Sequence, residues 1–88
     1  MATIALPPTL TMGDARAALA RLQQAIADDP APVLDGSALQ TLDTAAIAVL
    51  LDCQRSAAAA GKTLQVVGLP AKLTALASLY GVDALITR

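Results

Sequence analysis

Residues 33–51 read VLDGSALQTLDTAAIAVLL, and this stretch decides the fold. Its first part, residues 33–39, predicts a strand, and the residues after a short turn predict a helix. Asp43 or Thr44 is the predicted N-cap, because either side-chain oxygen can accept a hydrogen bond from a free backbone N–H group of the first turn. Gly61 ends the helix, since glycine is the usual residue just past a helix C-terminus. The stretch therefore predicts a buried strand followed by an apolar helix.

The rest of the chain alternates between strands and helices. Around the central unit we predict strands at residues 2–6, 9–11 and 63–67, a helix at about 12–28, a helix that begins near Pro70, and an extended tail at 82–88. This alternation predicts parallel strands joined by right-handed crossovers. The 88 residues are thus predicted to form a single α/β domain, with a mixed, mostly parallel sheet of about four strands and three helices.

The predicted core is built from small and medium-sized apolar side chains. The chain has 21 Ala and 15 Leu, a single Tyr, and neither Phe nor Trp. Helical three-four spacing assigns buried positions to Ala15, Ala18, Leu19, Leu22 and Ile26 in the first helix, to Ile47, Leu50, Leu51 and Ala58 in the second, and to Leu73, Leu76, Ala77 and Tyr80 in the third. Because a core without large aromatic rings buries less area, we expect modest stability that rises when a partner binds.

Charge and hydropathy argue against nucleic-acid binding and against membrane insertion. The net charge is -1, and the six basic residues are scattered rather than grouped into a stripe that could neutralise phosphates. The longest apolar run, residues 45–51, is far too short to cross a bilayer, and the N-terminus lacks the pattern of a signal peptide. The single cysteine, Cys53, excludes an internal disulfide and fits a reducing compartment. We therefore expect a cytoplasmic protein with no direct membrane insertion.

The chain lacks the residue types of most catalytic and metal sites. It has no His and no Glu, which excludes Ser-His-Asp and Cys-His nucleophilic sites, and one cysteine is too few for a metal cluster. The aspartates that could form an acid–base pair are Asp35, Asp43 and Asp52. Their sequence positions fit structural roles better: a strand end for the first, a helix cap for the second and a solvated helix face for the third. We expect no enzymatic activity, no catalytic residue, no metal and no cofactor.

The tripeptide Gly61-Lys62-Thr63 looks like the end of a phosphate-binding P-loop, but its context differs. That motif requires a glycine five residues earlier, where this chain has Ser56, and it joins a strand to a following helix. Here the tripeptide follows a predicted helix and precedes a predicted strand. We interpret it as a helix C-cap, with Lys62 near the negative end of the helix dipole.

Four segments of the chain carry a family resemblance: Val33-x-Asp35-x-Ser37, Asp43-Thr44, the strand at residues 61–68, and the pair Leu79-Tyr80. They resemble the STAS domain family, with Leu79-Tyr80 similar to the closing helix of its MlaB branch, and the resemblance as a whole covers roughly residues 5–86. The resemblance implies a STAS-like fold and a non-catalytic accessory subunit of a bacterial phospholipid-transport ABC complex. It also implies a partner, the cytoplasmic ATPase of that complex, which would hold the subunit peripherally at the inner membrane.

The resemblance places the partner-binding surface at the start of the second helix. The predicted partner-binding residues are Asp43, Thr44, Ala45, Ala48, Val49 and Asp52. We expect the helical members of this set to face away from the core, and their small side chains to let a partner approach closely. Thr44 would supply a hydrogen bond through its hydroxyl group, and it is the candidate modification site.

A second interpretation is an anti-sigma factor antagonist whose partner is an anti-sigma kinase. In that branch of the family, the phosphorylated serine follows the Asp-Ser/Thr pair, and the corresponding residue here is Ala45, which has no hydroxyl group. This departure argues against the regulatory branch and leaves Thr44 as the acceptor in this turn. A third interpretation, a detached STAS segment of an anion transporter, fits less well, because such segments usually belong to a much longer membrane chain.

Overall fold

The structure, a computed structural model, describes residues 3–87. Five short strands and four helices follow one another in these residues. In chain order they are β1 (Ile4–Ala5), β2 (Thr9–Leu10), α1 (Ala15–Asp28), β3 (Val33–Asp35), β4 (Thr41–Leu42), α2 (Thr44–Ala59), β5 (Gln65–Val67), α3 (Ala71–Leu79) and α4 (Asp83–Ile86). No helix among the described residues is both long enough and apolar enough to cross a bilayer.

The strands form two small parallel sheets. The larger sheet has the order β1-β3-β5, and in its central strand Leu34 pairs with Ile4 on one side and with Val66 on the other. The smaller sheet joins β2 to β4, with Leu10 opposite Leu42. The predicted α/β class and the mostly parallel pairing are confirmed. The single sheet of about four strands is instead divided in two, because β2 pairs with β4 rather than with the central strands.

Three elements differ most clearly from the sequence prediction, and the strands predicted at 2–6, 9–11 and 63–67 are also shorter than expected. The strand predicted at residues 33–39 ends at Asp35, because the Asp35 carboxylate accepts a hydrogen bond from the Ser37 backbone N–H at 2.9 Å and turns the chain. The first helix begins at Ala15 rather than Met12, after a turn in which the Asp14 carboxylate accepts a hydrogen bond from the Thr11 hydroxyl at 2.8 Å. The tail predicted as extended contains the helix α4.

The core lies between α1, α2 and the sheet, and Leu and Ile side chains fill most of it. The largest fully buried apolar side chains include Leu6, Leu10, Leu22, Ile26, Leu34, Leu50, Leu64, Leu73 and Ile86. The apolar stripe predicted for α1 is confirmed, since each of its five residues is buried or packs against the core. Among the described residues, α2 packs against three other helices, α1, α3 and α4. Buried side chains therefore cover a wide part of its circumference, which we call its buried arc.

Two predicted core positions were wrong. Ala58 is exposed, because the buried arc of α2 instead passes through Val49, Cys53 and Ala57, whereas Leu51 is half-buried and packs against the core as predicted. Tyr80 is 56% exposed, because it is the C-cap of α3, where the chain turns away at Gly81. The error in α2 came from assuming contact on one side only, whereas the helix packs against neighbours on both sides.

Lys62 caps a different helix from the one that its sequence position suggested. Gly61 has φ +72°, and the backbone N–H groups of Gly61 and Lys62 donate to the carbonyls of Ala58 and Ala57, which closes α2 as predicted. The Lys62 ammonium group, however, donates to the carbonyls of Ile26 at 2.9 Å and of Ala27 at 2.7 Å. It therefore satisfies carbonyls in the last turn of α1 and ties that end to the loop before β5.

Candidate functional site

Asp43 fixes the start of α2 and also holds the turn before α1. One carboxylate oxygen accepts a hydrogen bond from the Ala45 backbone N–H at 2.8 Å, which makes Asp43 the N-cap of α2. The other oxygen accepts one from the Met12 backbone N–H at 3.1 Å. Of the two N-cap candidates, the structure selects Asp43 and leaves Thr44 as the first helical residue. This single side chain therefore sets the position of Met12 relative to the N-terminus of α2.

A groove of about 300 Å³ runs between α1 and α2 beside this junction. It is lined by Met12, Ala15, Arg16, Leu19, Ala48, Val49 and Asp52. Met12 at one end is 78% exposed, the largest exposed fraction among the large apolar side chains that the structure describes. The groove thus has an apolar lining, with a basic side chain on α1 and an acidic one on α2.

The structure brings part of the predicted surface into this groove. Ala48, Val49 and Asp52 line it, and Thr44 lies one turn before Ala48 on the same side of α2. Thr44 and Ala48 are exposed, while Asp52 is partly buried. The first turn of α2 and the groove therefore form one continuous surface, and we call it the α1–α2 surface.

Two further predicted members are partly buried, namely the N-cap Asp43 and Ala45 in the first turn. The predicted exposure of Val49 was wrong, since this side chain is only 2% exposed. Val49 lies on the side of α2 that packs against α1, so it forms the floor of the groove rather than its outer rim.

Sequence reasoning missed the contribution of α1 to this surface. The sequence prediction placed the start of the first helix at about Met12 and gave this residue no functional role. The helix begins later than predicted, and the turn leaves Met12 in solvent. An unbranched, flexible methionine beside a groove can adapt its shape to an apolar partner side chain.

The titratable side chains in the middle of α2 include a buried thiol and a surface ion pair. Burial raises the pKa of the Cys53 thiol to about 12, and the nearby charge of Asp52 adds to the effect. A thiol with such a pKa stays protonated near neutral pH and is a poor nucleophile. Asp52 is paired with Arg55 at 3.0 Å. The α1–α2 surface thus offers an apolar groove, a hydroxyl group and two charges, a combination that suits packing against another protein surface.

Replacing Asp43 by Ala should lower the free energy of unfolding by about 1–2 kcal/mol, the usual effect of losing an N-cap. Asp43→Asn should retain most of the cap but lose the acceptor for the Met12 N–H, so its effect should be smaller. Urea unfolding followed by circular dichroism measures both. Asp52→Ala is the control, because its surface ion pair with Arg55 contributes little. Equal losses for Asp43→Ala and Asp52→Ala would contradict the assigned role.

The family comparison agrees with the fold and with the resemblance seen in the sequence. A protein-family model described as "Mlab, STAS domain" matches residues 2–87, which is nearly the whole chain. A comparison with curated proteins gives no match. The match covers both sheets, the α1–α2 surface and the closing helices. The chain therefore belongs to the STAS domain family, in its MlaB-type branch.

Proposed function

We propose that this protein is a non-catalytic STAS subunit that binds the cytoplasmic ATPase of a bacterial phospholipid-transport ABC complex and stabilises or regulates it. The observation that carries the proposal is the α1–α2 surface, an exposed apolar groove adjoining the first turn of α2. Membership of the MlaB-type branch supports the choice of partner. The protein would work in the cytoplasm and would be held at the inner membrane through the complex.

The shape and chemistry of the groove define what the ATPase must present. Ala48 is small and exposed, so a partner backbone can come close to α2 at this position. Met12 and Leu19 offer apolar contact to an inserted side chain, and Met12 can change rotamer to fit it. Arg16 and Asp52 would favour a partner segment with an acidic residue facing α1 and a basic residue facing α2.

The non-catalytic part of the proposal is supported by what the side chains can do. The chain has no histidine, and its one thiol is buried with a raised pKa. The protein would therefore act through binding alone. Because the partner binds only the folded state, binding would also stabilise this small domain.

Replacing Ala48 by Arg should reduce affinity for the ATPase at least about thirtyfold, the factor that corresponds to ~2 kcal/mol for a central interface contact. The long side chain would fill the groove, whereas an exposed helical position tolerates it without unfolding. Co-expression with the ATPase, followed by native mass spectrometry and by a binding titration, measures the loss. Thr44→Lys should act in the same direction, because it adds bulk and charge to the first turn of α2.

The matched control is Ala59→Arg, the same change at an exposed position in the last turn of α2. It should leave binding unchanged. If Ala48→Arg and Thr44→Lys fold normally and bind the ATPase as tightly as the control, the interface lies elsewhere and the proposal fails.

The exposed hydroxyl of Thr44 favours one alternative, an anti-sigma factor antagonist controlled by a kinase. A phosphate at this position would lie at the N-terminus of α2, where the helix dipole stabilises negative charge. Incubation with candidate anti-sigma kinases separates the two functions. Phosphate transfer that is lost in Thr44→Ala would support the regulatory function, and ATPase binding without phosphate transfer would support the transport function.

A further inference from the structure

Gln54 in the middle of α2 is the one buried polar side chain among residues 3–87. It is 7% exposed, and its amide nitrogen donates two hydrogen bonds to parts of the chain that are distant in sequence. One goes to the Leu64 carbonyl just before β5, at 3.2 Å, and the other goes to the Ile86 carbonyl in α4, at 2.7 Å. A buried amide in an apolar core is costly unless both of its N–H groups are paired. Gln54 therefore fits this core only while α4 is docked.

Helix α4 lies against α2 and α3, but only one side chain among its residues is buried. Ile86 is 1% exposed, whereas its neighbour Leu85 is 44% exposed. The backbone N–H groups of Leu85, Ile86 and Thr87 donate only to the carbonyls of Val82 and Asp83, which lie within the same turn. The anchor of α4 thus consists mainly of one buried side chain and the hydrogen bond from Gln54.

The space beside this anchor is already partly open. A cavity of about 210 Å³ lies between α2 and α4, and it is lined by Leu51, Gln54, Arg55, Ala58 and Leu85. When α4 moves away, the Gln54 amide can bond to water that enters from this side. Opening then exposes Ile86, the apolar surface that it covers, and a polar amide that water can satisfy.

We propose that residues 83–87 form a strap that opens and closes as a local unit, with Gln54 as the positioning residue that latches it. Closure places Ile86 in the core and pairs the Gln54 amide, and opening returns both the amide and the Ile86 carbonyl to water. A single helical turn with one buried side chain and only local backbone hydrogen bonds opens at a much lower free energy than the whole domain. The strap packs on α2, the helix that also carries the α1–α2 surface, but the proposal does not depend on ATPase binding.

Hydrogen exchange of the Leu85, Ile86 and Thr87 amides, followed by NMR, tests the strap directly. In the wild-type chain we expect these amides to exchange at rates that barely change with urea, because local opening exposes little surface. Amides in the middle of α2 should instead show a steep urea dependence. Exchange of all these amides with the same steep dependence would show that α4 opens only when the whole domain unfolds, and it would overturn the proposal.

Two variants test the latch. Gln54→Leu removes the hydrogen bond to Ile86, and it should speed exchange at the three strap amides about tenfold relative to amides of α1. Gln40→Leu is the matched control, since Gln40 is exposed and the same change there should leave the strap unchanged. Unchanged strap exchange in Gln54→Leu, or equal acceleration throughout the chain, would overturn the latch. If Gln54→Leu does not fold, the urea dependence in the wild-type chain still decides whether the strap exists.

Discussion

Replacing Leu22 by Ala should lower the free energy of unfolding by about 3–5 kcal/mol, a large part of the total stability of a small domain. Leu22 is fully buried in the core cluster, and α1 and α2 share the most extensive helix–helix contact among residues 3–87. Several members of this core cluster are alanines, Ala18, Ala46 and Ala57 among them. Such short side chains cannot swing into the cavity, so the loss should fall toward the upper part of the range.

The stability of Leu22→Ala is best measured by urea unfolding, with circular dichroism as the probe. Leu79→Ala makes the same chemical change at a residue that is 77% exposed, and it should alter stability by less than about 0.5 kcal/mol. A loss below about 1 kcal/mol for Leu22→Ala, or equal losses for both variants, would show that the core does not depend on packing between α1 and α2.

The sequence predicted those parts of the fold that depend on local chemistry. Asp43 caps α2 and Gly61 ends it because an aspartate oxygen and a positive φ angle satisfy groups within a few residues. The apolar stripe of α1 follows from spacing alone. The spacing of four residues puts Thr44, Ala48 and Asp52 on one side of α2. The part of the α1–α2 surface that α2 contributes was therefore also predictable.

The missed features depend on contacts that local patterns do not encode. Strand β4 is two residues long and exists because it pairs with β2, more than thirty residues earlier. Helix α4 is one turn long and is held by Gln54 from α2. Met12 joins the α1–α2 surface because Asp43, far along the chain, holds its backbone N–H. Each of these features requires knowledge of which distant segments meet.

Replacing Gly68 by Ala should lower the free energy of unfolding by about 2–3 kcal/mol, for two separable reasons. Gly68 has φ +68°, a left-handed conformation that costs a residue with a Cβ atom roughly 1–2 kcal/mol. The added Cβ would also lie 2.7 Å from an Asp35 carboxylate oxygen and 3.3 Å from the Ser37 nitrogen. The carboxylate must then move, which breaks its 2.9 Å hydrogen bond with the Ser37 N–H at the end of β3.

A comparison with Gly61 separates the two causes. Gly61 has φ +72°, but a Cβ there would meet nothing within 4 Å, so Gly61→Ala should show the conformational cost alone. The excess loss in Gly68→Ala then measures the collisions with Asp35 and Ser37, and most of it should be lost when both variants are made in an Asp35→Ala background, which leaves only the looser contact with Ser37. The Ser37 backbone N–H lowers the pKa of Asp35 in the wild-type chain, with a further contribution from the Ser37 side chain. That pKa should therefore rise toward its ordinary value in Gly68→Ala, as measured by NMR titration. An unshifted Asp35 pKa together with equal losses at both glycines would show that the two loops do not meet as the structure places them.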